Sequence, residues 1–101
     1  MKIINKQNFD EITSKGVVLV DFFANWCGPC KMLAPVLEDV ATTMPHVTFV
    51  KVDVDQEPGL AGRYGIQAIP NLVIFKDGQA VDKITGFVGK DVIVDKLNKL
   101  L

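Results

Sequence analysis

The feature that most constrains the fold of this chain is the run Gly16-Val17-Val18-Leu19-Val20-Asp21-Phe22-Phe23. It is apolar almost throughout and rich in β-branched residues, without the alternation of a strand that has one face in water. It therefore predicts a strand covered on both faces, as in the centre of a parallel sheet. Such a strand needs a layer of helices on each side, which points to the α/β class of folds.

Strand and helix patterns alternate along the rest of the chain. Further strand patterns lie at residues 3–4, 47–54, 72–75 and 81–87, and helical patterns lie at 8–15, 31–44, 58–64 and 93–101. Crossover helices make the first strands parallel, and an Asp77-Gly78 hairpin turn makes the last two antiparallel. The sequence predicts a single domain over residues 1–101, a three-layer α/β/α sandwich with a mixed sheet of roughly five strands and four helices.

Two local signals refine this interpretation. Asn8 and Glu11 have the spacing of a capping pair at the start of the first helix. Pro35 lies inside the long second helical pattern, and we expect it to kink that helix rather than end it, because the pattern continues beyond it.

Composition limits the partners. The chain has 101 residues and a formal net charge of -1, whereas a nucleic-acid partner or an anionic membrane surface favours a basic face. No apolar run approaches the roughly 20 residues that span a bilayer, and the start of the chain turns polar at once, unlike a signal peptide. We therefore expect a cytoplasmic monomer without nucleic-acid or membrane partners.

The two cysteines, Cys27 and Cys30, are three residues apart. A structural disulfide that closes so short a loop stabilises a chain little. Structural zinc takes four ligands, and the chain adds only His46, which we expect to be a surface loop residue; a zinc site shared between two chains stays open as an alternative. In a reducing compartment, this spacing between a strand and a helix of a βαβ unit indicates redox chemistry.

The segment Cys27-Gly28-Pro29-Cys30 lies where the buried strand ends and the long helix begins. A helix N-terminus carries partial positive charge and unpaired N–H groups, so it stabilises a thiolate placed there. Pro29 suits the first helical position, which needs no N–H. We expect Cys27 at the exposed start and Cys30 one turn further in on the same face. Cys27 should then attack a substrate disulfide, and Cys30 should resolve the mixed disulfide.

Three further residues are candidates for supporting roles. Asp21 is a carboxylate in an apolar strand, where burial should raise its pKa and suit it to act as a general base near neutral pH. Lys51 lies in the next apolar strand and could approach Asp21, although a lysine in a half-buried strand can also extend to water. Trp26 flanks Cys27 and is expected to be partly exposed. The alternative is a position in the core, where Trp is usually well buried.

At these positions the chain resembles the thioredoxin family. The residues that carry the resemblance are Val20-Asp21-Phe22-Phe23-Ala24-Asn25-Trp26-Cys27-Gly28-Pro29-Cys30-Lys31-Met32, Tyr64-Gly65-Ile66, Ile69-Pro70, Phe75-Lys76-Asp77-Gly78 and Gly86. The similarity covers essentially the whole chain. Phe23 and Asn71 depart from it, because many members have Trp or Tyr at the first position and Thr is frequent at the second.

The resemblance implies a thioredoxin fold and a protein-disulfide reductase without a bound cofactor. Its substrates would be disulfide-containing proteins, and an NADPH-dependent flavoprotein thioredoxin reductase would return electrons to the dithiol. It assigns Asp21 to proton transfer with the second cysteine and favours a pairing of Lys51 with Asp21.

The resemblance also implies a cis Ile69-Pro70 bond that faces the dithiol, with the Ile69 backbone free to pair with an extended substrate. Trp26, Gly28, Pro29, Ile69 and Gly86 would form a flat apolar docking patch. Two alternatives remain at this stage: a disulfide oxidase or isomerase on the same fold, and a binding or scaffold subunit without redox turnover.

Overall fold

The computed structural model describes residues 1–101, which form nine elements. In chain order they are β1 (Lys2–Ile3), α1 (Phe9–Thr13), β2 (Val17–Phe23), α2 (Gly28–Thr43), β3 (Thr48–Asp53), α3 (Pro58–Arg63), β4 (Asn71–Lys76), β5 (Gln79–Thr85) and α4 (Lys90–Asn98). The predicted set of five strands and four helices is confirmed. None of the four helices combines the length and apolar character needed to cross a bilayer.

The five strands form one mixed sheet in the order β1-β3-β2-β4-β5. The first three strands of the chain are parallel, as expected, while β4 runs antiparallel to both β2 and β5. All seven residues of β2 are buried, so the most apolar run of the sequence is the central strand. The carboxyl ends of β2 and β3 therefore meet at the same edge of the sheet.

Side chains of the sheet alternate between two cores, one on each face. The first core packs β2 and β4 against α2 and α4, and its buried members include Leu19, Leu33, Leu37, Val40, Leu72, Ile74, Ile93 and Leu97. The second packs the opposite face against α1 and α3, and its buried members include Phe9, Val18, Val20, Phe22, Val52, Leu60, Val73 and Phe75. This arrangement confirms the three-layer sandwich.

Two local expectations agree with the structure. Helix α2 continues through Pro35, so this proline does not end it. The turn between β4 and β5 has positive φ at both Asp77 (49°) and Gly78 (87°), as the Asp-Gly pair predicts.

The predicted capping pair at Asn8 is wrong. Asn8 precedes α1, but its side chain caps no N–H of that helix. Its Oδ1 accepts the Asn5 N–H at 2.9 Å, while the Asn5 Oδ1 accepts the N–H groups of Gln7 and Asn8. The turn before the helix thus uses the oxygen that the sequence pattern assigned to the helix.

The packing of α2 on the sheet predicts a large cost for truncating Leu37. This side chain is fully buried, and Leu37→Ala should lower the free energy of unfolding by about 2–5 kcal/mol, through lost burial and the cavity left behind. Urea denaturation measures this. Met32→Ala on the same helix is the matched control, because Met32 is 63% exposed and its truncation should change stability by less than about 0.5 kcal/mol. Equal losses in the two variants would contradict this packing.

Candidate active site

The two cysteines lie where the chain leaves β2 and starts α2. Cys27 has an extended conformation (φ −85°, ψ 111°) and is the N-cap of α2. Its Sγ accepts the backbone N–H of Cys30 at 3.2 Å. Gly28 is the first helical residue and Pro29 the second, one position later than predicted, although both lie in the first turn, where no N–H partner is needed. A sulfur thus takes the place that a Ser or Asp oxygen commonly occupies at a helix start.

A disulfide joins Cys27 and Cys30, whose Cα atoms are 5.2 Å apart. The expected difference in exposure is wrong, since each residue is only 4% exposed. Both pack with Phe23 and Ala24 in one small cluster, which covers the two sulfurs equally when they are bonded. The surroundings of the two cysteines differ: Cys27 lies between exposed neighbours, whereas Cys30 lines a cleft.

The cleft beside Cys30 has a volume of about 220 Å³. It is lined by Phe23, Ala24, Asn25, Cys30, Lys31, Ala34 and Lys51. The cleft therefore brings the second cysteine together with the lysine that the sequence singled out on β3.

Asp21 is buried in the middle of the sheet, with 1% of its surface exposed. It lies two residues after Leu19 on β2 and therefore points to the same face of the sheet, which α2 covers. Neither of its carboxylate oxygens has a hydrogen-bond partner in the chain. Burial raises the pKa of Asp21 to about 6, and the positive charge of Lys51 partly opposes this rise. The raised pKa predicted for this carboxyl is confirmed.

Lys51 is the register partner of Asp21 on the neighbouring strand. The two form no contact ion pair, so their direct pairing is not what the structure shows. The Lys51 ammonium lies instead over the ring of Phe23, 4.2 Å from its centroid, in a cation–π contact. Lys51 thus acts on Asp21 through its field rather than through a hydrogen bond.

A second loop contacts the dithiol cluster. The Ile69-Pro70 peptide bond is cis, as the resemblance implied. Ile69 is partly buried and packs against the cysteine cluster. The Pro70 carbonyl accepts the Gly86 N–H at 2.8 Å, and Gly86 has a φ of 88°, which favours glycine. The N–H and C=O groups of Ile69 have no partner within the chain.

Trp26 is 70% exposed, which confirms a surface position rather than a core one. Its Nε1–H donates to the Asp55 Oδ2 at 2.8 Å. Sequence reasoning missed Asp55 and also Asp53, which is buried at the end of β3. A usable signal was present: Asp53 directly follows the buried Val52, and strand ends at this sheet edge carry functional side chains in α/β folds.

Comparison with known proteins decides the family, since the model of the Thioredoxin family matches residues 1–99. The chain belongs to the thioredoxin family. It is 46% identical to the thioredoxin of Chlamydia trachomatis serovar D over 98% of this chain and 97% of that protein. It is also 46% identical to a thioredoxin of Staphylococcus aureus over 97% of this chain and 95% of that one.

Solved thioredoxin structures show the same fold. A mutant thioredoxin from Halobacterium salinarum superposes with a TM-score of 0.93 at 38% identity, covering 98% of this chain and 88% of that one. The thioredoxin of Plasmodium falciparum gives a TM-score of 0.92 at 35% identity, with all of both chains covered. As a member of the thioredoxin family with a bonded C-x-x-C pair, the chain is a thiol–disulfide oxidoreductase and a protein-disulfide reductase.

The burial of Asp21 makes the stability of this thioredoxin-family chain depend on pH. Its pKa is about 6 in the folded state against an ordinary value of 3.8, so the folded state binds the proton more tightly. The stabilisation is complete below the ordinary pKa and is lost as the pH rises through the folded-state pKa. Since one pKa unit corresponds to about 1.4 kcal/mol, the ionised carboxylate costs the folded chain on the order of 3 kcal/mol.

We expect Asp21→Asn to remove this pH dependence, because the amide stays neutral. Relative to the variant, the wild type should lose about 2 kcal/mol of unfolding free energy between pH 4.5 and pH 7.5. Urea denaturation of both proteins at each pH gives this difference, and effects of the other carboxylates cancel in it. Parallel stability curves for the two proteins would show that Asp21 titrates normally.

Proposed function

We propose that Cys27 is the attacking residue and Cys30 the resolving residue in the reduction of protein disulfides. The Cys27 thiolate attacks one sulfur of the substrate disulfide, that bond breaks, and the departing sulfur takes up a proton. Cys30, as thiolate, then attacks the Cys27 sulfur, which releases the second substrate thiol and restores the Cys27–Cys30 disulfide. Two electrons pass from the dithiol to the substrate.

The hydrogen bond from the Cys30 N–H to the Cys27 Sγ is the observation that carries this assignment. It places the Cys27 sulfur at the N-cap of α2, where the partial positive charge of the helix end favours a thiolate. Cys30 lies within the first turn and cannot use the same position. The neighbours of Cys27, Trp26 and Gly28, are exposed, so a substrate has access to Cys27 first.

We assign to Asp21 the acceptance of the proton that Cys30 loses when it resolves the mixed disulfide. Asp21 lies on the face of the sheet that α2 covers, and its raised pKa of about 6 is close to neutral pH, as a general base requires. Lys51 favours the ionised form of Asp21. Lys51 and Cys30 line the same cleft, so the charge that acts on Asp21 lies beside the resolving cysteine.

The substrate surface we propose lies on both sides of the dithiol. Trp26, Gly28 and Pro29 are exposed on the helix side. The partly exposed Ile69 and Gly86 form the other side, where the Gly86 N–H bonds to the carbonyl of the buried Pro70. The unpaired N–H and C=O of Ile69 can bind an extended substrate backbone in the manner of an added strand. Backbone pairing suits protein substrates of varied sequence, because it does not depend on their side chains.

We further propose that the chain acts as a monomeric single domain over residues 1–101 in the cytoplasm. An NADPH-dependent flavoprotein thioredoxin reductase would then return electrons to it. The Gly28-Pro29 pair supports the reductive direction, because it resembles the pair of reducing members of the family. That direction requires a compartment in which thiols stay reduced.

The cysteine roles predict different trapping by the two serine variants. Cys30→Ser should accumulate a covalent adduct with a disulfide-containing protein such as insulin, because the mixed disulfide cannot be resolved. Cys27→Ser should form little adduct, and the double-serine variant none. Mass spectrometry under non-reducing conditions measures the adduct. If Cys27→Ser traps substrate as well as Cys30→Ser does, the two roles are assigned the wrong way round.

The reductive direction predicts the outcome of equilibration with glutathione. The reduced chain should pass its electrons to glutathione disulfide, leaving most of the chain oxidised in an equimolar mixture. Alkylation of free thiols followed by mass spectrometry gives the oxidised fraction. If reduced glutathione instead keeps the Cys27–Cys30 pair reduced, the chain is an oxidase or isomerase.

A further inference from the structure

Asp53 is a buried carboxylate that no catalytic step uses. It is 8% exposed, ends β3 and is the register partner of Phe23 on β2. Its Oδ1 accepts the backbone N–H groups of Asp55 at 2.9 Å and Gln56 at 3.4 Å. Its Oδ2 lies 3.5 Å from the Asn25 Nδ2.

These bonds fix the turn that follows β3. An aspartate that accepts N–H groups two and three residues ahead forms an Asx-type turn, and a charged acceptor strengthens such bonds. The Asp53 carbonyl also accepts the Glu57 N–H at 2.9 Å, which ties the end of the turn to its start. The turn therefore presents Asp55 in one orientation.

Asp55 in turn holds the indole of Trp26. The Asp55 Oδ2 accepts the Nε1–H at 2.8 Å, and this is the one hydrogen bond that the indole can donate. Trp26 is largely exposed, so its ring has few packing contacts to restrict its rotamer. The link from Asp55 is what restrains the ring beside Cys27.

We propose that Asp53 is a positioning residue for the substrate surface, acting through Asp55 to hold the Trp26 ring in place. Asp53 does not touch the substrate. A restrained indole loses less conformational entropy when a substrate docks on it, which favours binding. The effect on binding rests on the proposed role of Trp26 as a docking residue, whereas the effect on the ring itself does not.

The test compares Asp53→Ala, Asp55→Ala and the double variant. The first readout is solvent exchange of the Trp26 Nε1–H by NMR, which is unambiguous because the chain has one tryptophan. The second is the KM for insulin, set against the rate with hydroxyethyl disulfide, a small disulfide that needs no docking surface. These readouts separate the orientation of the indole from its use in binding.

Each single variant should speed indole exchange and raise the KM for insulin by about two- to tenfold, the effect of one lost hydrogen bond. The insulin kcat and the hydroxyethyl disulfide rate of Asp53→Ala should stay at the wild-type level. The double variant should match Asp55→Ala alone, because both residues act along one route.

Two matched controls separate the bonds of Asp53. Asp53→Asn keeps an oxygen for the turn N–H groups and should stay close to wild type. Asn25→Ala removes only the bond at 3.5 Å, which is at the limit of hydrogen-bond geometry, and should also stay close to wild type. If Asp53→Ala does not fold, Asp53→Ser takes its place and should give a smaller change in the same direction.

Wild-type indole exchange in Asp53→Ala or its serine substitute would overturn the proposal, as would additive effects in the double variant. Faster exchange with an unchanged KM would keep the positioning role of Asp53 and remove Trp26 from the docking surface. The failure of the inference and the failure of the proposed docking role are therefore distinguishable.

Discussion

The chemistry that we propose for this chain depends on one hydrogen bond, from the Cys30 N–H to the Cys27 Sγ. It lies where the chain leaves the buried strand β2 at the edge of the sheet and α2 begins. The first N–H groups of a helix need partners, and here a sulfur supplies one. In the mechanism that we propose, the same N–H that completes the helix end stabilises the Cys27 thiolate of the reduced chain. This one hydrogen bond therefore serves both the start of the helix and the proposed reactivity of Cys27.

The burial of Asp21 lowers the free energy of unfolding. An ionised carboxylate without hydrogen bonds in the centre of the sheet opposes folding by on the order of 3 kcal/mol, against a total stability of about 5–15 kcal/mol for a typical domain. An apolar residue at this position would pack without that penalty. A carboxylate beneath α2 therefore fits the proton transfer that we propose for it better than a structural role, because buried groups with shifted pKa values concentrate at functional sites.

Much of the fold could be predicted from local patterns, because the central strand, the long helix and the Asp77-Gly78 hairpin are each encoded in neighbouring residues. The antiparallel direction of β4 could not be predicted, since no periodicity in the sequence indicates which way a strand runs in a sheet. The predicted capping role of Asn8 was wrong because the adjacent turn uses the same side-chain oxygen. The cis Ile69-Pro70 bond came from family resemblance alone.

At the site, the residue types were predictable and their contacts were not. The C-x-x-C spacing indicated the dithiol, but the equal burial of both cysteines depends on the cluster around the closed disulfide. Lys51 was expected to pair with Asp21, yet its ammonium lies over Phe23, a position where the chain departs from the family pattern. The link from Trp26 to Asp55 joins residues 29 apart in sequence, and only the meeting of two strand ends creates it.

Two buried carboxylates on neighbouring strands illustrate how environment divides roles between identical side chains. Asp21 lies within β2 with no hydrogen-bond donor, so its proton is available for exchange near neutral pH. Asp53 lies at the end of β3, where backbone N–H groups of the following turn occupy its oxygens. Those bonds hold the turn that follows β3, which suits a role in geometry. Two neighbouring strands thus carry one carboxyl to which we assign proton transfer and one to which we assign a role in geometry. They differ in that Asp53 accepts backbone N–H groups and Asp21 accepts none.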